Sequence, residues 1–120
     1  MSMPSILNFA DYLQSSPTDS VRTVIHQSAE HNLVLWQIPP NAKLPTHRHP
    51  QGQDIWVVMQ GSALLLEQAD LASTKNNARR IHAGQAIVID TQQIHGVYND
   101  GAQDCVLVSI IHPNAAFVAV

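Results

Sequence analysis

Charge is what this sequence has least of. Asp, Glu, Lys and Arg make up 12% of its 120 residues, about half the usual share for a soluble domain. The net charge is −3, and basic residues never cluster beyond the pair Arg79–Arg80. Binding nucleic acid requires a basic footprint that neutralises phosphates, so that partner class is excluded. No apolar run approaches the ~18 residues of a membrane-spanning helix, and no membrane partner is expected. Cysteine is nearly absent. The single Cys105 forbids an intrachain disulfide and fits a reducing, cytoplasmic setting. Within "CVLVSII" it reads as a buried thiol and not as a nucleophile. The opening "MSMPSILNFADYLQ" has no basic n-region and carries Asp11 early, so it is not expected to act as a signal peptide. With charge so scarce, part of the surface is expected to lie against a second copy, giving a homodimer.

Long helical patterns are missing too. Residues 5–14 place Ile6, Leu7, Ala10 and Leu13 near helical spacing, which predicts one short N-terminal helix. "SSPTDS" (15–20) follows as a linker. The expected division is therefore a helix-and-linker segment over 1–20 and a single β-domain over 21–120. Beyond residue 20, short runs alternate with Gly, Pro and Asn turns: "VRTVIH", "NLVLWQI", "DIWVVMQ", "SALLLEQ", "QAIVI", "HGVYN" and "CVLVSII". Such punctuation predicts an all-β sandwich or barrel. "ALLLEQADLA" (63–72) is the one later stretch that also suits a helix. In "DIWVVMQ", strand parity puts Asp54, Trp56 and Val58 on one face and Ile55, Val57 and Met59 on the other. Both faces are apolar enough to require cover, which again favours a dimer.

His47 and His49 are separated by one residue in "HRHPQGQD". On an extended strand they share a face, roughly 7 Å apart along the chain, with Arg48 turned away. Two imidazoles so placed can converge on one ion. His95 lies in a later strand, "QQIHGVYN". Imidazole with carboxylate suits zinc, iron, nickel or copper, whereas hard cations prefer all-oxygen shells. His26, His31, His82 and His112 lack partners at ligand spacing and read as surface or strand-edge residues. No serine stands in a G-x-S-x-G context, so a Ser-His-Asp arrangement has little support.

The stretch "HRHPQGQDIWVVMQG" (47–61) resembles the first motif of the cupins: H-x-H, three or four residues, Glu, six residues, Gly. "GQAIVIDTQQIHGVYN" (84–99) resembles the second, with Gly84, His95 and Asn99 in register. The resemblance covers roughly residues 31 to 112. It implies a jelly-roll (double-stranded β-helix) barrel, commonly dimeric, with His47, His49, Asp54 and His95 holding one divalent transition metal (iron, nickel, zinc, manganese or copper). Asp54 stands where the family has glutamate, and "DTQQ" (90–93) stands where it has Pro-x-Gly. The shorter carboxylate must come closer through the backbone, bind through water, or leave the ion to three histidines. Trp56 and Val58 share its face and are candidate pocket residues, although Trp56 suits the core equally. Asn99 is a third candidate, with a turn-closing role through "NDG" as the simpler reading. The functions implied are a mononuclear metal enzyme acting on a small organic molecule (oxygenase preferred, isomerase or decarboxylase next) or a non-catalytic module binding a sugar or small acid without a functional metal.

Overall fold

The computed structural model describes residues 3–68 and 78–120. Among these, the predicted all-β architecture is observed. Ten strands form two five-stranded antiparallel sheets that face each other as a jelly roll. In chain order they are β1 (Val21–Gln27), β2 (Asn32–Ile38), β3 (Lys43–Arg48), β4 (Asp54–Gln60), β5 (Ser62–Leu66), β6 (Arg80–His82), β7 (Ala86–Ile89), β8 (His95–Tyr98), β9 (Cys105–Ile111) and β10 (Val118–Ala119). One sheet runs β1-β2-β9-β4-β7 and the other β10-β3-β8-β5-β6.

Strand parity decides what lies between the sheets. Trp56, Val58, Leu107, Ile38, Leu65 and Val97 all turn inward and form the main core. Because side chains alternate along a strand, Leu35, Val106 and Val108 face the other way. They are covered by Phe9, Tyr12, Ile25 and Leu33. Phe9 and Tyr12 belong to the N-terminal segment, so that segment is a cover for the outer face of the first sheet.

The helix expected over 5–14 is reduced to one 3₁₀ turn, Phe9–Tyr12. Its Asn8 cap makes no side-chain hydrogen bond, and Leu13 is already extended. The stripe that suggested a helix is not the buried one: Ile6, Leu7 and Leu13 are exposed. A single turn suffices to seat two aromatics three residues apart, and nothing rewards a longer nucleus. "ALLLEQADLA" is strand through Leu66, and its residues from 69 onward lie outside those described.

The fold brings the histidines together through a local irregularity. β3 and β8 pair Leu44 with Val97 and His47 with His95, so β3 carries one extra residue between those pairs. Pro45 occupies this bulge, where a missing N–H does least harm to the ladder. Opposite it stands Gly96. A Cβ there would meet the Leu44 carbonyl oxygen at 2.7 Å and the Thr46 Cα at 3.1 Å. The absence of that atom lets the two strands close beside His95. Replacing Gly96 with alanine should therefore lower unfolding free energy by roughly 1–3 kcal/mol, a typical overpacking cost. Urea denaturation of Gly96→Ala checks this, and an unchanged midpoint would show that β3 can move aside.

Candidate metal centre

His47 and His49 flank the exposed Arg48 at the end of β3, and both are buried. His95 opens β8 as the cross-strand partner of His47. Asp54 opens β4 in the facing sheet and is 3% exposed. Four side chains from two sheets thus meet, with candidate ligand atoms within 4.8 Å of one another.

What orients the imidazoles is the backbone. His47 Nδ1 lies 2.8 Å from the Pro45 carbonyl oxygen, and His95 Nδ1 lies 2.8 Å from that of Gln93. Each ring bonds the carbonyl two residues before it. His49 Nδ1 meets the Ala116 carbonyl at 2.5 Å. A carbonyl only accepts, so each Nδ1 must carry the proton in all three rings. The lone pairs are then left on Nε2. Buried, His49 Nε2 and His95 Nε2 have no hydrogen-bond partner.

Asp54 is fixed as firmly. Ser109 Oγ donates to its Oδ1 at 2.5 Å, and Trp56 Nε1 donates to its Oδ2 at 3.1 Å. Oδ2 also sits 3.4 Å from His49 Nε2 and 3.6 Å from His95 Nε2. Two atoms bound to one ion at ~2.1 Å stand about 3.4 Å apart at a tetrahedral angle. The separations therefore fit a shared cation. They do not fit a hydrogen bond between a carboxylate and a neutral imidazole presenting a lone pair. The cluster requires positive charge at its centre, either a metal ion or a proton.

The ionisation of the residues follows from this. Burial is the largest influence on His47 and, with repulsion from His95 and His49, lowers its pKa to about 4. For His49, burial pulls downward but the Asp54 carboxylate and the Ala116 carbonyl overcome it, and the pKa is raised. Burial would raise Asp54. The facing His49 and His95 rings, together with the hydrogen bond from Ser109, outweigh it and hold the carboxyl well below its ordinary range. Asp54 is thus an anion at any working pH.

Trp56 is 1% exposed in the core and serves the site by steadying Asp54. Val58 packs in the same core cluster. Asn99 is fully buried away from the site: its Nδ2 donates to the Ile38 and Gln103 carbonyls and its Oδ1 accepts from Gly101 N–H. These bonds consume its polar atoms in closing the turn. None of the three borders the cavity beside the histidines, whose lining includes Val34, Trp36, Ile111, Phe117 and Arg22 among the described residues. The cavity holds about 430 Å³.

The turn that lacks Pro-x-Gly is made by side chains. Gln92 takes a φ of 72°, while Gln93 Oε1 accepts from Asp90 N–H and Gln53 Nε2 donates to Asp90 Oδ1. Gln53 is thereby occupied away from the ligand cluster. The Gln92 N–H donates to the His49 carbonyl, tying this turn to the first motif.

Sequence reasoning missed Ser109, Ala116 and Phe117. Ser109 is the lone hydroxyl in an apolar strand, and only pairing with β4 reveals that it meets Asp54. Ala116 acts through its backbone, at a φ of 60° that turns its carbonyl to His49. The Phe117 ring stacks on His47, centroids 4.7 Å apart. His112, expected at the surface, is exposed but also borders the cavity.

In metal-stripped protein, His47 should govern stability between pH 6.5 and 4. Its folded pKa lies below the unfolded value, so the unfolded chain takes up the proton first as pH falls. Its contribution is complete above pH 6.5 and is lost on the way down to about pH 4, on the order of 1–3 kcal/mol. Urea titrations at successive pH values should show this slope, and His47→Gln should flatten it.

A protein-family model for the cupin domain matches residues 34–111. No curated protein matches the chain. Among solved structures, an uncharacterized conserved protein with a double-stranded β-helix domain from Klebsiella pneumoniae is 25% identical, with a TM-score of 0.85 over 98% of each chain. An oxalate oxidase is 25% identical, with a TM-score of 0.69 over 88% of this chain and 57% of its own. The polyketide cyclase RemF from Streptomyces resistomycificus, at 17% identity, has a TM-score of 0.76 over 98% of this chain and 86% of its own. Since the family match takes in His47, His49, Asp54 and His95 together with both strand pairs that position them, the chain belongs to the cupin family.

Proposed function

We propose that this cupin is a mononuclear divalent-metal enzyme acting on a small organic molecule, with His47, His49, His95 and Asp54 as the ligands. The observation that carries the reading is the pair of buried, unpartnered Nε2 atoms aimed at the Asp54 carboxylate. Leaving buried polar atoms unsatisfied costs about 1–3 kcal/mol each, a cost that a bound cation removes. Iron, nickel, zinc, manganese and copper all suit three imidazoles and a carboxylate. Asp54 serves as a direct ligand through Oδ2, which faces His49 Nε2 at 3.4 Å and His95 Nε2 at 3.6 Å.

The bound ion would supply Lewis acidity and, with a redox metal, a route to dioxygen chemistry. The chain's own residues do the rest. Ser109 and Trp56 keep Asp54 ionised and stationary. Val34, Trp36 and Phe117 give the cavity an apolar wall that limits water and strengthens charge interactions inside. Oxygenase chemistry is preferred; the oxalate oxidase among the similar structures, one of which holds the substrate analogue glycolate, supports redox chemistry on a small acid within this fold. Isomerase and decarboxylase activities use the same donor set.

A second reading has one observation in its favour. His49, with its raised pKa, and Asp54 can form an imidazolium–carboxylate pair that satisfies the cluster with a proton. The protein would then be a non-catalytic module for a small ligand. Elemental analysis after reconstitution separates the two. Wild type should hold about one divalent ion per chain, and His47→Ala and His95→Ala should retain at least tenfold less. Equally little metal in all three sinks the enzyme reading. An iron-loaded sample should then consume oxygen with a member of a catechol and dione panel.

The homodimer is a further part of the proposal. The outward face of β4 and β7 carries Ile55 and Val57, half-buried, with Met59 44% and Val88 59% exposed. Contiguous apolar surface of this kind suits a partner copy. Val88→Glu should shift the protein to monomer in size-exclusion chromatography with light scattering. A wild type that is already monomeric would refute the dimer.

A further inference from the structure

Arg22 stands on the cavity wall, on the edge strand β1. β1 lies three strands from β4, about 14 Å across the sheet at ~4.8 Å per step. The pairs Arg22↔Trp36, Trp36↔Leu107 and Leu107↔Val58 align it with Val58, four residues along β4 from Asp54. Its backbone is therefore remote from that of Asp54 in both directions of the sheet, yet its side chain borders the same cavity. Between the two ends the wall includes Val34, Trp36 and Phe117.

The side chain is exposed, and no hydrogen bond or ion pair with another described residue engages it. Among the described lining residues, Arg22 is the one permanent cation, and the one carboxylate, Asp54, is buried and held by its own partners. A guanidinium offers five donors in a planar fork that matches a carboxylate in bidentate fashion. An arginine with those donors uncommitted, at the far end of an apolar wall, is placed to receive an anionic group from a ligand inside the cavity.

We propose that Arg22 anchors the carboxylate of an elongated, mainly apolar substrate, whose other end is presented to His47, His49, Asp54 and His95. The second half of that statement rests on the metal-enzyme reading above; the Arg22 contact itself does not. The cavity thus selects small acids whose charge is separated from the reacting end by an apolar segment.

The test uses the whole 120-residue chain, metal-stripped, so that no probe carboxylate can be captured by a metal. 4-Phenylbutyrate and its neutral amide are titrated by NMR against wild type, Arg22→Gln and Arg22→Lys. Wild type should bind the acid at least tenfold more tightly than the amide, as expected for a charge-assisted pair. Arg22→Gln should abolish that preference while leaving amide affinity unchanged, which also shows that the variant is folded. Arg22→Lys should retain part of the preference. Equal affinities in wild type, a full preference retained by Arg22→Gln, or no acid binding at millimolar concentration would each overturn the proposal. Metal content is measured separately, so failure of reconstitution and failure of the Arg22 contact are distinguishable.

Discussion

Three hydrogen bonds from imidazole Nδ1 atoms to backbone carbonyls are the constraint on which this site depends. They fix the tautomer of His47, His49 and His95 without using a single side-chain partner. Once Nδ1 is committed, each neutral ring presents its lone pair at Nε2. Two of the carbonyls lie two residues before their own histidine, so strand geometry itself sets the ring. The third comes from Ala116, in the segment that leads into β10. That segment is bound to β3 through the Val120 N–H and carbonyl at Thr46. The end of the chain is thus part of the site, holding His49 with one residue and covering His47 with the next, Phe117.

The fold was legible in the sequence because its signals are local. Runs of β-branched residues bounded by Gly, Pro and Asn identify β1, β2, β4, β5, β7, β8 and β9. The motif spacings join them into one family. β3 was harder to see, since Pro45 and the prolines at 39 and 40 make its neighbourhood resemble a loop. Only the bulge against Gly96 shows how a proline fits there. The N-terminal helix failed for the opposite reason. A helical apolar spacing was present, but tertiary packing selected Phe9 and Tyr12, which do not belong to that stripe.

Within the site, identity was legible and orientation was not. His47, His49, Asp54 and His95 can be named from spacing and resemblance alone. That Ser109 donates to Asp54 depends on register between β4 and β9, which no local pattern encodes. The role of Ala116 is carried entirely by its backbone and leaves no trace in residue type. Trp56 and Val58 have the same parity as Asp54, yet parity gives only the face of a strand. Depth along the strand separates Asp54, at the histidine cluster, from Trp56 and Val58, packed in the core.

The replacement of glutamate by aspartate becomes intelligible in this setting. At this position an aspartate reaches the Ser109 hydroxyl and the Trp56 indole directly. Aspartate keeps both donors, and its Oδ2 still faces two imidazole nitrogens. Charge then links this centre to the rest of the cavity. With its three rings neutral, as metal binding would require, the cluster sums to −1, and a divalent ion would reverse this to +1. In an apolar cavity such a positive end would disfavour cationic ligands and reward anionic ones, because low dielectric magnifies both effects. Arg22 adds a second positive locus at a distance from the first. A compact anion can satisfy only one of them at a time. On the proposed reading, a longer acid would place its charge on Arg22 and leave the metal end for neutral oxygen donors, so the two loci would together discriminate by length as well as by charge.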